Sequence, residues 1–245
     1  MKDYNKLKDD IIKNIRDWFD ENGSKATAVI GISGGKDSTV AAALLVESLG
    51  KDRVLGVMMP NGFQPDISDS ERVVKILGIR SITENINTIY ATFIQQLMTT
   101  GINVSEDTTI NLPPRLRMAT LYAIAQSLPE GGRVINTCNY SEDYVGYSTK
   151  YGDSAGDISI LGNCFVSEVI GIGDALGLPH NLVHKAPSDG LCGKTDEDRF
   201  GFTYDDIETY VLTGTTGNAE IDAKILKMHK ASRHKYTEMY NCTQR

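Results

Sequence analysis

Gly31-Ile32-Ser33-Gly34-Gly35-Lys36-Asp37-Ser38 follows directly on the apolar run Ala26-Thr27-Ala28-Val29-Ile30. The small residues Ser33, Gly34 and Gly35 let a turning main chain aim several N–H groups at one point. A helix starting near Asp37 adds the positive end of its dipole. This combination predicts a cradle for an anion such as pyrophosphate. Ser33 and Ser38 bring hydroxyl donors and Lys36 brings a positive charge. Asp37 is a carboxylate that a phosphate repels unless a cation lies between them, so it predicts magnesium. Two commoner phosphate loops are excluded by spacing. A Walker-type loop needs Gly and Ser or Thr where this chain has Ile30 and Asp37, and Gly31, Gly34 and Gly35 do not fit Gly-x-Gly-x-x-Gly.

A second constellation runs from Thr137-Cys138-Asn139-Tyr140-Ser141-Glu142 through Thr149-Lys150-Tyr151-Gly152-Asp153 to Asp157. Thr137 is placed at a strand end and Glu142 in the first turns of the next helix. A magnesium ion bridging phosphates takes a second carboxylate near the first, and Glu142 is the natural partner of Asp37. The same acid also suits a helix start, where the dipole stabilises it. Lys150 and Asp157 flank a glycine loop.

These groups need a scaffold that brings them together. Strand-like runs recur at Ala26–Ile32, Arg53–Met59, Ile79–Ile82 and Arg133–Thr137. Helical patterns alternate with them at Thr39–Leu49, Asp69–Leu77, Thr88–Thr99 and Pro114–Leu128, after an amphipathic helix over Asn5–Phe19. The alternation predicts an α/β fold, a parallel sheet with helices on both faces. Ligands in such sheets lie beyond the carboxyl ends of the strands, where the loops after Ile30, Met59 and Thr137 converge. Farther on come a glycine-rich loop at 151–157, a polar stretch from Lys185 to Gly201 and a Lys-rich terminal helix over Ala219–Tyr240.

With 245 residues, 40% hydrophobic and 23% charged, the chain is expected to form a single domain over residues 1–245. No apolar run approaches the roughly 20 residues that cross a bilayer, and the charged N-terminus lacks a signal-peptide core. A cytoplasmic protein without a membrane partner is expected. Cys138, Cys164, Cys192 and Cys242 form no C-x-x-C pair, which speaks against a zinc site. The net charge of −7 speaks against a nucleic acid partner.

Ser33-Gly34-Gly35-Lys36-Asp37-Ser38 resembles the SGGxDS loop of the N-type ATP pyrophosphatases. Within that superfamily the chain is similar to the NAD synthetase family. It carries that family's Thr (Thr137), the Glu five positions on (Glu142), the Thr-Lys-Tyr-Gly-Asp segment (149–153) and the Asp four residues later (Asp157). Pro114-Arg115-Leu116-Arg117-Met118 resembles the family's Ala-Arg-x-Arg-Met helix start. Pro187-Ser188-Asp189-Gly190-Leu191 and His234-Lys235 resemble its downstream motifs. The likeness runs from about Ala26 to Lys235 and implies a Rossmann-like, adenine nucleotide alpha hydrolase-like fold.

The resemblance also implies roles. Gly31, Ile32, Ser33, Gly34, Gly35, Lys36, Asp37, Ser38, Thr137 and Ser188 would bind ATP, and Asp37 and Glu142 would be the catalytic metal ligands. Arg115, Lys150, Asp157, His234 and Lys235 would bind deamido-NAD. The implied reaction joins ammonia to deamido-NAD at the expense of ATP, with magnesium, in a homodimer. One departure stands out: the family's ATP-contacting Lys is replaced by Val166, with Lys36 or Lys194 as the expected substitute. The stretch before Ala26 is too short for a glutamine-hydrolysing domain, so free ammonia, or ammonia from a separate subunit, is the expected donor. Two rivals share the loop. A tRNA-modifying ligase is disfavoured by the acidic charge and the missing cysteine pair, and a regulatory nucleotide-binding module has no use for Glu142, Arg115 and Lys150.

Overall fold

The computed structural model describes residues 2–65, 67–185, 196–237, 239 and 242. The chain begins with α1 (Tyr4–Gly23), capped by the Asp3 carboxylate, which accepts from Lys6 N. Its buried stripe of Ile12, Ile15 and Phe19 is the helical periodicity read along Asn5–Phe19. Then follow β1 (Thr27–Gly31), α2 (Lys36–Leu49), β2 (Val54–Met58), α3 (Ile67–Leu77), β3 (Arg80–Thr83) and α4 (Asn87–Thr99). The second half contains α5 (Glu106–Ser127), β4 (Gly132–Asn136), α6 (Tyr140–Val145), β5 (Ile158–Ser159) and α7 (Val166–Ala175). It ends with α8 (His180–Val183), α9 (Asp196–Phe200), α10 (Tyr204–Thr213) and α11 (Ala219–Ser232).

The strands form one parallel sheet in the order β3-β2-β1-β4-β5. This is the expected α/β, Rossmann-like architecture with helices on both faces. From β1 the chain winds outward through β2 to β3, then returns to lay β4 on the other side of β1. The β1/β4 boundary is therefore the topological switch point, where the outgoing loops part and leave a crevice. Central strands need apolar residues on both faces, and Ala28, Val29 and Ile30 are fully enclosed. One face packs against α1, α2 and α7 through Ile15, Phe19, Leu44, Leu45 and Ile172. The other meets α5 through Met118, Leu121 and Ala125. A third apolar cluster, with Val145, Phe202, Ile207 and Ile225, ties α6 to α10 and α11.

Three elements differ from the sequence reading. The helix expected from Pro114 starts at Glu106, because Ser105 accepts from Thr108 N and two acids follow in the first turn. Pro113 and Pro114 lie inside it. The terminal helix expected to reach Tyr240 ends at Ser232 and gives way to a 3-10 turn over Arg233–Lys235. There Lys235 Nζ donates to the carbonyls of Gly146 and Ser148 at 2.7 Å each, which draws the chain off the helix axis. β5 was not anticipated, since two residues carry no periodicity. Among the described residues, no helix is long and apolar enough to cross a membrane.

Candidate active site

The Gly31–Ser38 loop leaves β1 at the switch point and enters α2 with Gly35 as N-cap. Gly34 has φ +78°, a conformation that side-chain-bearing residues rarely adopt. A Cβ there would lie 2.8 Å from Asp69 Cβ and 2.9 Å from the Ser70 nitrogen, so glycine is also needed for close packing. The loop holds its own shape: Ser33 and Ser38 hydroxyls meet at 3.0 Å, Gly35 N donates to Ser33 Oγ, and Thr39 Oγ1 donates to Gly35 O at 2.7 Å. No side chain caps the first turn of α2. Its first amides are thus left without a side-chain cap, as an anion cradle requires.

Glu142 arrives from the neighbouring strand. After β4, Asn139 caps α6 by accepting from Glu142 N at 3.1 Å, while Glu142 Oε2 accepts from Asn139 N at 3.3 Å. Glu142 thus closes a capping box at the start of α6, and it lies close enough to Asp37 to feel its charge. Asn139 is the hinge between the two acids, because its Nδ2 donates to Asp37 Oδ1 at 2.9 Å. The sequence reading missed Asn139. The Asn-x-x-Glu spacing at the start of a helix was the signal that could have found it.

Lys36 is only 4% exposed and turns inward, its Nζ 3.0 Å from Asp37 Oδ2 and over the Tyr204 ring. Tyr204 donates to Asp196 Oδ2 at 3.0 Å. Burial pulls the Lys36 ammonium down, but Asp37, Glu142 and Asp196 more than offset that, and its pKa is raised. Burial, and then the charge of Asp37, push Glu142 well above the usual carboxylate range, while Lys36 and the Asn139 amide pull it back. One ammonium thus serves several acids in a poorly hydrated site. Asp196 and Tyr204, which match the family's downstream Asp-Glu and Tyr positions, carry no site role in the sequence reading, since only the docking of α9 and α10 brings them to the loop.

Among the described residues, no set of three or more His, Cys, Asp and Glu side chains forms a metal site. Asp37 and Glu142 fit magnesium in another way. They are hard oxygen donors with surplus negative charge, of the kind that completes its shell with water and phosphate oxygens.

The glycine loop is tied to the end of β4 by Asn136. Its Nδ2 donates to the carbonyls of Asp153 and Ala155, and its Oδ1 accepts from Cys138 N and Ser159 Oγ. Arg115 Nε donates to Lys150 O at 3.2 Å, and Lys150 Nζ donates to His234 O at 2.6 Å. Arg115, Lys150, His234 and Lys235 are thus brought into one chain of contacts, spread over α5, the glycine loop and the 3-10 turn. Asp157 is set apart: its carboxylate accepts from Val134 N at 2.7 Å and Tyr122 OH at 3.1 Å, along the β4 edge. Thr137 stands half-buried just past β4. Val166 packs into the apolar cluster of α6, α10 and α11. Ser188 and Lys194 lie outside the described residues.

The NAD synthase family model matches residues 7–245. The chain is 37% identical over 236 residues to the NH(3)-dependent NAD(+) synthetase of Finegoldia magna, covering 95% of this chain and 93% of that one. It is 40% identical over 217 residues to the enzyme of the same name from Pyrococcus horikoshii, covering 87% and 82%. The solved NMN synthetase from Francisella tularensis superposes with a TM-score of 0.88 at 34% identity, over 98% of this chain and 99% of that chain. With the family model matched over residues 7–245 and relatives 37–40% identical over most of both chains, the chain belongs to the NAD synthase family.

Proposed function

We propose that this chain, acting as one domain, catalyses the ATP-dependent amidation of deamido-NAD by ammonia. The meeting of Asp37 and Glu142 beside the anion cradle carries this reading, because each follows a different strand at the switch point. The nicotinate carboxylate attacks the α-phosphorus of ATP and pyrophosphate leaves. Ammonia then attacks the acyl carbon of the mixed anhydride, the C–O bond breaks, AMP departs with the bridging oxygen that the carboxylate supplied, and a proton is released. Both steps bring anions together, so positioning and charge neutralisation dominate the barrier. The amides of the loop and of the α2 N-terminus hold the departing pyrophosphate, and Ser33 and Ser38 hold the loop's shape. Arg115, Lys150, His234 and Lys235 line the acid substrate's side. Asp37 and Glu142 would hold magnesium, whose chemistry is to neutralise phosphate charge.

Purified protein given ATP, magnesium, ammonium and deamido-NAD is expected to yield NAD, AMP and pyrophosphate, resolved by chromatography. Formation of ADP, or no amide product, rejects the reading. The likeness to the Francisella tularensis NMN synthetase favours a second reading, in which nicotinic acid mononucleotide is the acid amidated. Both acids run in parallel decide between them by their kcat/KM ratio.

A homodimer is part of the proposal. The helical patterns at Thr88–Thr99 and Pro114–Leu128 each have an apolar face that suits either a partner or the core, and the second packs on the sheet through Met118, Leu121 and Ala125. α4 buries none of its residues within the chain. Phe93 is 44% and Met98 63% exposed, with Ile89, Ile102 and Ile110 also exposed. An apolar surface of this extent suits a second copy. Light scattering should give twice the chain mass, and Phe93→Asp should halve it. A monomeric wild type rejects the dimer.

A further inference from the structure

The loop's own ammonium is buried and already paired with Asp37. Lys36 is enclosed among Asp37, Glu142, Asp196 and the Tyr204 ring, and Val166 contributes only an apolar side chain. The outer side of the loop is backed by the first turn of α3, where Asp69 and Ser70 press against Gly34. Asp69 therefore stands directly beside Gly34, in the loop whose amides would cradle phosphate oxygens. A bare carboxylate there would repel the ligand.

Asp69 is not bare, since its Oδ2 accepts from Lys185 Nζ at 2.6 Å. The two side chains are 31% and 30% exposed, so both reach solvent. They come from positions 116 residues apart. Lys185 is set there by α8, whose Leu182 and Val183 are buried, Leu182 in the core that contains α2.

We infer that Lys185 is the cation that meets the pyrophosphate portion of ATP in the Gly31–Ser38 loop, and that it offsets the charge of Asp69 beside that loop. An ammonium has three donors, so it can hold Asp69 and a phosphate oxygen together. Its charge then lies between two groups that would otherwise repel each other. The inference rests on the proposed use of ATP and extends it to a residue that neither the loop motif nor the carboxylate pair includes.

Inorganic pyrophosphate, titrated calorimetrically into the full-length protein in magnesium buffer, tests it. Lys185→Met is expected to weaken binding by at least about tenfold, the scale of a lost charge-assisted contact. Lys185→Arg should stay within about threefold of wild type, because it keeps the charge. Asp69→Asn should bind pyrophosphate at least as tightly as wild type, because a repelling charge is gone. A purely structural ion pair predicts the opposite for Asp69→Asn, which would then weaken binding as much as Lys185→Met does. That result, or undiminished binding by Lys185→Met, overturns the assignment. Should Lys185→Met not fold, as judged by thermal melting, Lys185→Gln and Asp69→Asn give the same contrast. The two readings fail separately. Wild type that binds pyrophosphate but makes no amide refutes the proposed function, whereas wild type that makes amide and AMP while Lys185→Met binds normally refutes only the role of Lys185.

Discussion

Glu142→Gln is expected to lower turnover by at least about tenfold, roughly 1.4 kcal/mol of transition-state stabilisation, while leaving the unliganded protein folded and no less stable. The two effects separate because glutamine also closes a capping box: its amide oxygen can accept from Asn139 N where Glu142 Oε2 does now. What disappears is the charge, which burial and Asp37 already disfavour. Asp37→Asn should cost a similar factor in turnover but should not be neutral for stability, because it removes the carboxylate on which Lys36 rests at 3.0 Å. Steady-state rates and urea denaturation of the two variants check this pair of expectations. Near-wild-type turnover in either would remove its metal-binding role.

Lys36→Met is expected to destabilise the free protein by about 3 kcal/mol near neutral pH, since it strips the counter-ion from a buried acidic cluster. The loss should depend on pH. Glu142 has a folded-state pKa above its ordinary 4.5, so the stability linked to its protonated form is present below 4.5 and is lost as pH rises through the folded value. Without Lys36, which pulls that value down, the window extends further upward. The deficit of the variant therefore shrinks on acidification and grows on the alkaline side. Added magnesium should recover part of it by binding the same oxygens. Urea midpoints measured across pH, with and without magnesium, test this. A deficit independent of both would mean that Lys36 contributes only packing.

The cradle was legible because its requirements are local. Gly34 must take a positive φ, Gly35 must leave the helix start open, and small residues must let amides converge; adjacent positions supply all of this. The helices and strands were legible from periodicity, except where a cap or a tertiary contact overrode it. Ser105 moved the start of α5 toward the N-terminus, and Lys235 turned the chain away at the end of α11. Lys36 shows the limit of local reading. Its place in the loop suggests a phosphate contact, but its side chain lies beneath Tyr204, a residue whose nearness depends on how α10 docks.

By itself the sequence determined the α/β alternation, the glycine turn between β1 and α2 and the acid that starts α6, because each depends on residues a few positions apart. Only the tertiary structure decided which strands are neighbours, and with that the meeting of Asp37 with Glu142 through Asn139, the enclosure of Lys36 by Asp196 and Tyr204, and the pairing of Asp69 with Lys185. Those contacts join segments up to 116 residues apart. Their existence depends on the order β3-β2-β1-β4-β5, which is set by the burial of whole helix and strand faces rather than by any short pattern of residues.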